Sequence, residues 1–163
     1  MSHILIVYES RTGHVKRMAD SVAEGVRGAG MDARLLPVED AMPKNLLDAA
    51  GIVVGSYTSY GVAAGGVKTF FDKTFGIHGK LNGKVGGAFA SCGGLGGGCE
   101  ATVLSILQML LVHGMIVQGD PAEFHFGAVA IGKPDEHSLA ACRNLGNRVA
   151  GLASPRGARC CSS

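Results

Sequence analysis

The stretch "VYESRTGHVKRMADSV" (residues 7–22) decides how this chain folds. An apolar run stops at Glu9-Ser10-Arg11-Thr12-Gly13, and a helical period begins at once. Upstream, "HILIVY" (3–8) is a continuous β-favouring run, the pattern of a central strand covered on both faces. Downstream, Val15, Met18, Ala19, Val22 and Val26 recur at helical spacing, while Lys16, Arg17, Asp20, Glu24 and Arg27 face the other way. Gly28 and Gly30 end that helix. A strand passing into a helix through a short hydroxyl- and glycine-rich turn is the opening unit of an α/β chain.

The same alternation continues. "DARLLPV" (32–38) reads as a second strand, and Pro37 places it at a sheet edge. Pro43 starts a short helix through Leu46 and Leu47. "GIVVGS" (51–56) is a third strand, followed by the loop "YTSYGVAAGG" and a helix through Phe70, Phe71 and Phe75. "KVGGAFAS" (84–91) is a fourth strand and "CGGLGGG" (92–98) the loop after it. An almost entirely apolar helix spans 99–113, and "GMIVQG" starts a fifth strand; "GAVAIG" (127–132) either completes that strand or forms a separate one. The last helix begins at Asp135-Glu136 and is expected to bury Leu139, Cys142, Leu145 (or Gly146), Val149 and Leu152. Five strand–helix units predict an α/β fold: a doubly wound five-stranded parallel sheet, order 2-1-3-4-5, with helices on both faces. One domain over 1–153 is expected, with "SPRGARCCSS" (154–163) as a frayed tail.

Composition narrows the function. With 163 residues, 47% hydrophobic, 17% charged and a net charge of +2, the chain lacks the basic excess of a nucleic-acid binder. The N-terminal "MSHILIVYES" has no basic leader, and the apolar segment at 101–117 is interrupted by Ser105, Gln108, His113 and Gly114, so neither a signal peptide nor a membrane span is expected. Cysteines 92, 99, 142, 160 and 161 form no metal-ligand spacing, and their odd number fits reduced thiols in a cytoplasm.

In open parallel sheets, ligands sit beyond the carboxyl ends of the strands, near the point where strand order reverses. The unusual segments fall there: 9–14, 57–62 and 92–98, after strands 1, 3 and 4. In the first, Ser10 and Thr12 offer hydroxyls, Gly13 allows a tight turn, and the next helix begins with unpaired N–H groups at its positive dipole end. These can surround a phosphate; equally, they describe an ordinary hydroxyl-capped helix start. No Gly-Lys-Ser/Thr follows, so this is not a P-loop, and a single Gly does not make the dinucleotide turn.

Taken together, the three segments resemble those of the flavodoxin family. "SRTGHV" (10–15) is similar to that family's phosphate loop for FMN, "GSYTSYG" (55–61) to its second loop, and "SCGGLGGG" (91–98) to its third. Within the family the chain most resembles NAD(P)H:quinone oxidoreductases of the tryptophan-repressor-binding-protein type, sharing Gly13-His14, the glycine-rich third loop followed by Glu100, and "HGM" at 113–115. The resemblance implies an FMN site built from Ser10, Arg11, Thr12, Gly13, His14 and Val15 at the phosphate. Tyr57, Thr58, Ser59, Tyr60 and Gly61, with Ser91, Cys92, Gly93, Gly94, Gly96 and Gly97, would border the flavin ring. Tyr60, ahead of Tyr57, is the candidate to lie on the ring, ordinary loop packing being the other use of these tyrosines. Val15 stands where the family pattern has a hydroxyl, so the cradle is expected to lean on backbone N–H groups and Arg11. The flavin would carry the chemistry, with no catalytic side chain and no metal.

The remaining candidates have plainer uses. His78, His125 and His137 are expected to be solvated or structural, and His113 to interact with a helix dipole. Cys92 fits the third loop as a small side chain, Cys99 near a helix start could have a lowered pKa, and Cys160-Cys161 reads as incidental. Two readings of function remain. The first is an FMN oxidoreductase moving two electrons from NADH or NADPH to a quinone-like acceptor. It is expected to be cytoplasmic and homo-oligomeric, because a helix apolar on every side needs more cover than one sheet face gives. The second is a flavodoxin-type electron carrier that docks with redox partner proteins. A receiver-type signalling domain is excluded, since only Glu9 of the carboxylates it needs is suitably placed.

Overall fold

The computed structural model describes residues 2–154. The tail expected over 154–163, with Cys160 and Cys161, therefore lies outside the described residues apart from Ser154. The strands are β1 (His3–Glu9), β2 (Asp32–Pro37), β3 (Gly51–Ser59), β4 (Val62–Ala63), β5 (Val85–Cys92), β6 (Ile116–Val117) and β7 (Ala128–Ile131). The helices are α1 (His14–Gly28), α2 (Pro43–Asp48), α3 (Gly65–Asp72), α4 (Cys99–Val112) and α5 (Glu136–Ala153).

The sheet runs β2-β1-β3-β5-β6, with β4 on β3 and β7 on β5. All pairings are parallel except the short β3–β4 hairpin. The expected α/β doubly wound fold and its 2-1-3-4-5 path are thus present, and β2 with Pro37 is an edge strand. The count differs: seven strands among the described residues, not five. The expected fifth strand is two pieces, β6 pairing with the start of β5 and β7 with its end. Between them, segment 118–127 leaves the sheet and is held by an Asp120–Arg148 ion pair at 2.7 Å to α5.

Strand alternation makes two cores. Leu5, Val7, Ile52 and Val54 face α3 and α4 with Val67, Phe70, Ile106 and Leu110. Ile4, Ile6 and Val53 face α1 and α5 with Met18, Val22, Leu139 and Val149. α1 and α5 cross at glycines on both sides: a Cβ on Gly25 would lie 1.9 Å from the Arg143 carbonyl oxygen, and one on Gly146 would lie 2.0 Å from that of Val22. α5 starts where expected, with Asp135 accepting from the Ser138 N–H and the Ser138 hydroxyl closing a capping box.

Two apolar side chains at element ends lie at the surface, one of them, Leu152, against the expected burial. The α3 helix stops at Asp72 and tightens into a 3₁₀ turn, which leaves Phe75 88% exposed. Leu152, in the last turn of α5, is 39% exposed. Both lie at element ends, where a periodic pattern outruns the sheet beneath it.

Candidate functional site

The carboxyl ends of β1, β3 and β5 lie side by side, with Glu9 opposite Ser56 and Tyr57 opposite Ser91. That register brings all three expected segments to one edge of the sheet. In the first, Gly13 takes φ +86° and opens α1. The Lys16 N–H donates to the Ser10 hydroxyl at 3.2 Å, so Ser10, not the residue at the N-cap, caps the helix. The N–H groups of Arg11, Thr12, Gly13, His14 and Val15 find no acceptor among the described residues. Arg11 and Thr12 are exposed, while the Val15 side chain is buried in the core under α1 and offers the site only its amide. This turn is a concave set of donors at the positive end of a 15-residue helix.

Glu9, just before the turn, serves a different end. Its Oε2 accepts from the Val67 N–H at 2.9 Å, capping α3 across the chain. A Cβ on Gly66 would lie 2.6 Å from that same oxygen, which is why a glycine stands there. The carboxylate therefore ties the first segment to the second.

The second segment is not a loop over its whole length. β3 runs on through Tyr57, Thr58 and Ser59, and β4 folds back on it, pairing Thr58 with Ala63 and Ser59 with Val62. Tyr60 and Gly61 make the two-residue turn, both with positive φ (48° and 84°), as hairpin turns of this length require. A non-glycine residue held at positive φ is uncommon and puts Tyr60 fully into solvent. Tyr57 instead packs partly against the core on the α1 side. Ser56, buried at the base, donates to the Tyr57 carbonyl at 2.7 Å and accepts from the Ala64 N–H at 2.9 Å.

The third segment rests on the second. A Cβ on Gly98 would lie 3.1 Å from the Gly61 Cα, and Thr102 donates to Thr58 through their hydroxyls at 2.8 Å. Ser105 accepts from the Ala63 N–H at 3.1 Å. Within the loop the Gly97 N–H is used by the Gly94 carbonyl at 3.0 Å, whereas those of Gly93, Gly94, Leu95, Gly96 and Gly98 have no acceptor among the described residues. Ser91 is buried in β5, and Leu95 stands almost fully exposed at the loop tip. Tyr60 and Leu95 are thus two uncovered apolar side chains on neighbouring loops.

The cysteines depart from expectation. Cys92 and Cys99 are joined in a disulfide, so neither is a free thiol and Cys99 does not titrate. They pair because the end of β5 and the start of α4 meet behind the loop, with Cα atoms 5.4 Å apart. Cys142 remains free in the core, where burial pushes its thiol up to about 12.

His113 stands at the C-cap of α4, at the helix end expected, and has further partners. It is buried, its Nε2 lies 2.8 Å from the Thr74 hydroxyl, and its ring lies against Phe71 and His78. Desolvation, and then the neighbouring His78, lower its pKa. It lines a cavity of about 490 Å³ between α3 and α4, with Phe71, Met109 and Val112. His125 and His137 bind the Asp120 carbonyl and Glu123, holding segment 118–127. Sequence reasoning missed Glu9, Ser56, Thr102 and Ser105 as organisers of the edge. Thr102 and Ser105, hydroxyls three residues apart in a mostly apolar α4, were the available signal.

The flavodoxin family model matches residues 6–103. A flavodoxin of Aquifex aeolicus is 42% identical over 159 residues, covering 92% of this chain and 86% of that protein. An NAD(P)H dehydrogenase (quinone) of Archaeoglobus fulgidus is 34% identical over 187 positions, covering 94% and 98%. That alignment is longer than the 163-residue chain, so the relative carries segments lacking here. Among solved structures, a WrbA-like flavodoxin from Agrobacterium tumefaciens superposes with a TM-score of 0.79 at 27% identity, covering 94% of this chain and 98% of that one. An archaeal flavodoxin gives 0.77 at 29%, covering 93% and 98%. No helix among the described residues is long and apolar enough to cross a membrane.

Proposed function

The chain belongs to the flavodoxin family, and from that premise we propose that its three segments hold FMN and serve electron transfer from NADH or NADPH to a quinone-like acceptor. One observation carries the cofactor: five consecutive backbone N–H groups, 11–15, are left without acceptors in front of α1. A phosphate dianion placed there would take the N–H donors, the dipole end of α1 and the charge of Arg11. The open space at the Cβ positions of Gly13, Gly61, Gly93, Gly94 and Gly96 leaves room for a planar group between the loops. Tyr60, exposed beside the loop, would stack on it, Leu95 would border it, and the N–H groups of 93–96, without acceptors among the described residues, would donate to its polar edge. When bound, FMN would supply reversible one- and two-electron redox chemistry; the protein's share is binding, orientation and donors at the edge where negative charge develops.

The acceptor reading rests on charge and on the relatives. Steered docking of a carrier uses a charged face. Here the net charge is +2 and the one carboxylate at the first loop, Glu9, caps α3. The Archaeoglobus relative is named an NAD(P)H dehydrogenase (quinone). The carrier reading keeps its own support: the Aquifex relative is named a flavodoxin, and the segments lacking here belong to the dehydrogenase. Along α4, Leu104, Leu111 and Val112 are uncovered on the side away from the sheet, which supports a homo-oligomer in which a second copy covers them.

The test is a titration with FMN followed by flavin fluorescence, then anaerobic mixing of the loaded protein with NADH or NADPH and a benzoquinone. Rapid nucleotide oxidation is the expected result. Two well-separated one-electron reduction waves without nucleotide oxidation would instead establish the carrier. Failure to take up FMN would overturn both. Light scattering at micromolar concentration tests the oligomer, which a strictly monomeric mass would overturn.

A further inference from the structure

Cys92 is the last residue of β5 and Cys99 the first of α4, so their disulfide brackets residues 93–98, of which all but Leu95 are glycine. Open glycine segments have the largest conformational freedom, and closing their ends removes much of it. Among the described residues, one backbone hydrogen bond, Gly97 N–H to Gly94 carbonyl, lies inside the bracket; the Cys92 sulfur is 3.4 Å from that carbonyl, and Gly98 rests on Gly61. Its free N–H groups therefore keep their arrangement through few fasteners, of which the bridge is the covalent one. The bridge in turn is covered by the loop: Cys92 and Cys99 are 6% and 2% exposed, and a Cβ on Gly97 would lie 3.4 Å from the Cys92 sulfur. Loop order and sulfur access are thus one variable.

We propose that Cys92 and Cys99 form a reversible dithiol–disulfide site whose state sets the affinity of the third loop for FMN, tight when bridged and weak when open. This rests on the FMN reading above. The partner class is a low-molecular-weight dithiol. One of its thiolates attacks a bridge sulfur, the protein S–S bond breaks, and a mixed disulfide forms with the other cysteine leaving as a thiolate. The reagent's second thiolate then displaces the attached cysteine. The protein gains two electrons and, with two protons taken up, two thiols; the reagent leaves as its cyclic disulfide. Oxidation by that disulfide is the reverse. Because the coupling is reciprocal, whatever factor the bridge adds to FMN affinity, FMN adds to the bridge's resistance to reduction.

The experiment uses full-length protein carrying C160S/C161S, so that Cys142, buried in the core, is the sole other thiol. FMN dissociation constants are measured by fluorescence in dithiothreitol and in its oxidised form, with the bridge followed by alkylation and mass. About tenfold weaker binding on reduction is expected, with FMN raising the dithiol ratio needed for half-reduction by the same factor. C92S/C99S should bind like the reduced protein in both buffers. Equal affinity in the two states, or full alkylation of both cysteines under oxidising conditions, overturns the proposal alone. Absence of FMN binding in either state overturns the cofactor reading with it.

Discussion

The first and third loops present the same group, the backbone N–H, and hold it in place by opposite means. In the first, the donors at 11–15 are left over from a helix start, so their directions follow from α1, which is packed into the core through Val15, Met18 and Val22. In the third, five glycines impose almost no shape, and order comes from a covalent bridge, one internal hydrogen bond and contact with Gly61. A site formed by a helix end is as rigid as its helix, whereas a site formed by a glycine loop is as rigid as its fasteners. The first loop should therefore tolerate local change better than the third.

The contrast can be broken most severely at Gly97. An added Cβ would lie 2.6 Å from the Gly94 carbonyl oxygen, so Gly97→Ala must open the turn. FMN affinity is expected to fall by about 2–3 kcal/mol, thirtyfold or more, in a calorimetric titration. At Gly13 there is space for a Cβ, and only the φ of +86° opposes it. Gly13→Ala should cost about 1–2 kcal/mol of stability, read as a lower thermal midpoint, with a smaller loss of FMN affinity than at Gly97. Ser10→Ala removes the acceptor of the Lys16 N–H and should cost about 1 kcal/mol. If Ser10→Ala weakened FMN more than Gly97→Ala did, the comparison would be reversed.

The smallest effect serves as a control remote from both loops. His113 is held neutral because burial and His78 lower its pKa from 6.5. The unfolded chain then binds more protons than the folded one below about that pH. Stability from this group is present above 6.5 and falls as pH drops through it, and His3, lowered mainly by burial, adds in the same direction. Thermal melts from pH 8 to 5 should show the decline, with a shallower slope in His113→Gln. FMN affinity measured at low occupancy of the unfolded state should not follow it.

Much of the edge was legible because it follows from periodicity. The change from an apolar run to helical spacing at Gly13 located β1, α1 and the donors between them, and recurrence of that change located the other two segments. What stayed hidden depends on pairings distant in sequence. Nothing in "YTSYG" announces that Tyr60 adopts positive φ; that follows from β4 finding β3 and α4. An odd number of cysteines argued for free thiols, yet the bridge forms because a strand end and a helix start converge. Glu9 as a cap for α3 lies 58 residues from its partner, beyond any local pattern. Segment 118–127 splits the last strand through contacts to Arg148 and His137, which the strand's own residues do not encode.

The glycine crossing between α1 and α5 sets an order of events during synthesis. The turn at 10–15 and α1 are made before α5, but the surface of α1 that meets Arg143 and Gly146 has nothing to rest on until α5 has been made. A nascent chain would thus carry an unfinished anchor for its earliest loop through most of translation. A fragment ending at residue 134 is accordingly expected to leave the α1 amides open to hydrogen exchange that the full chain suppresses. The last helix, in this fold, determines when the first turn becomes useful.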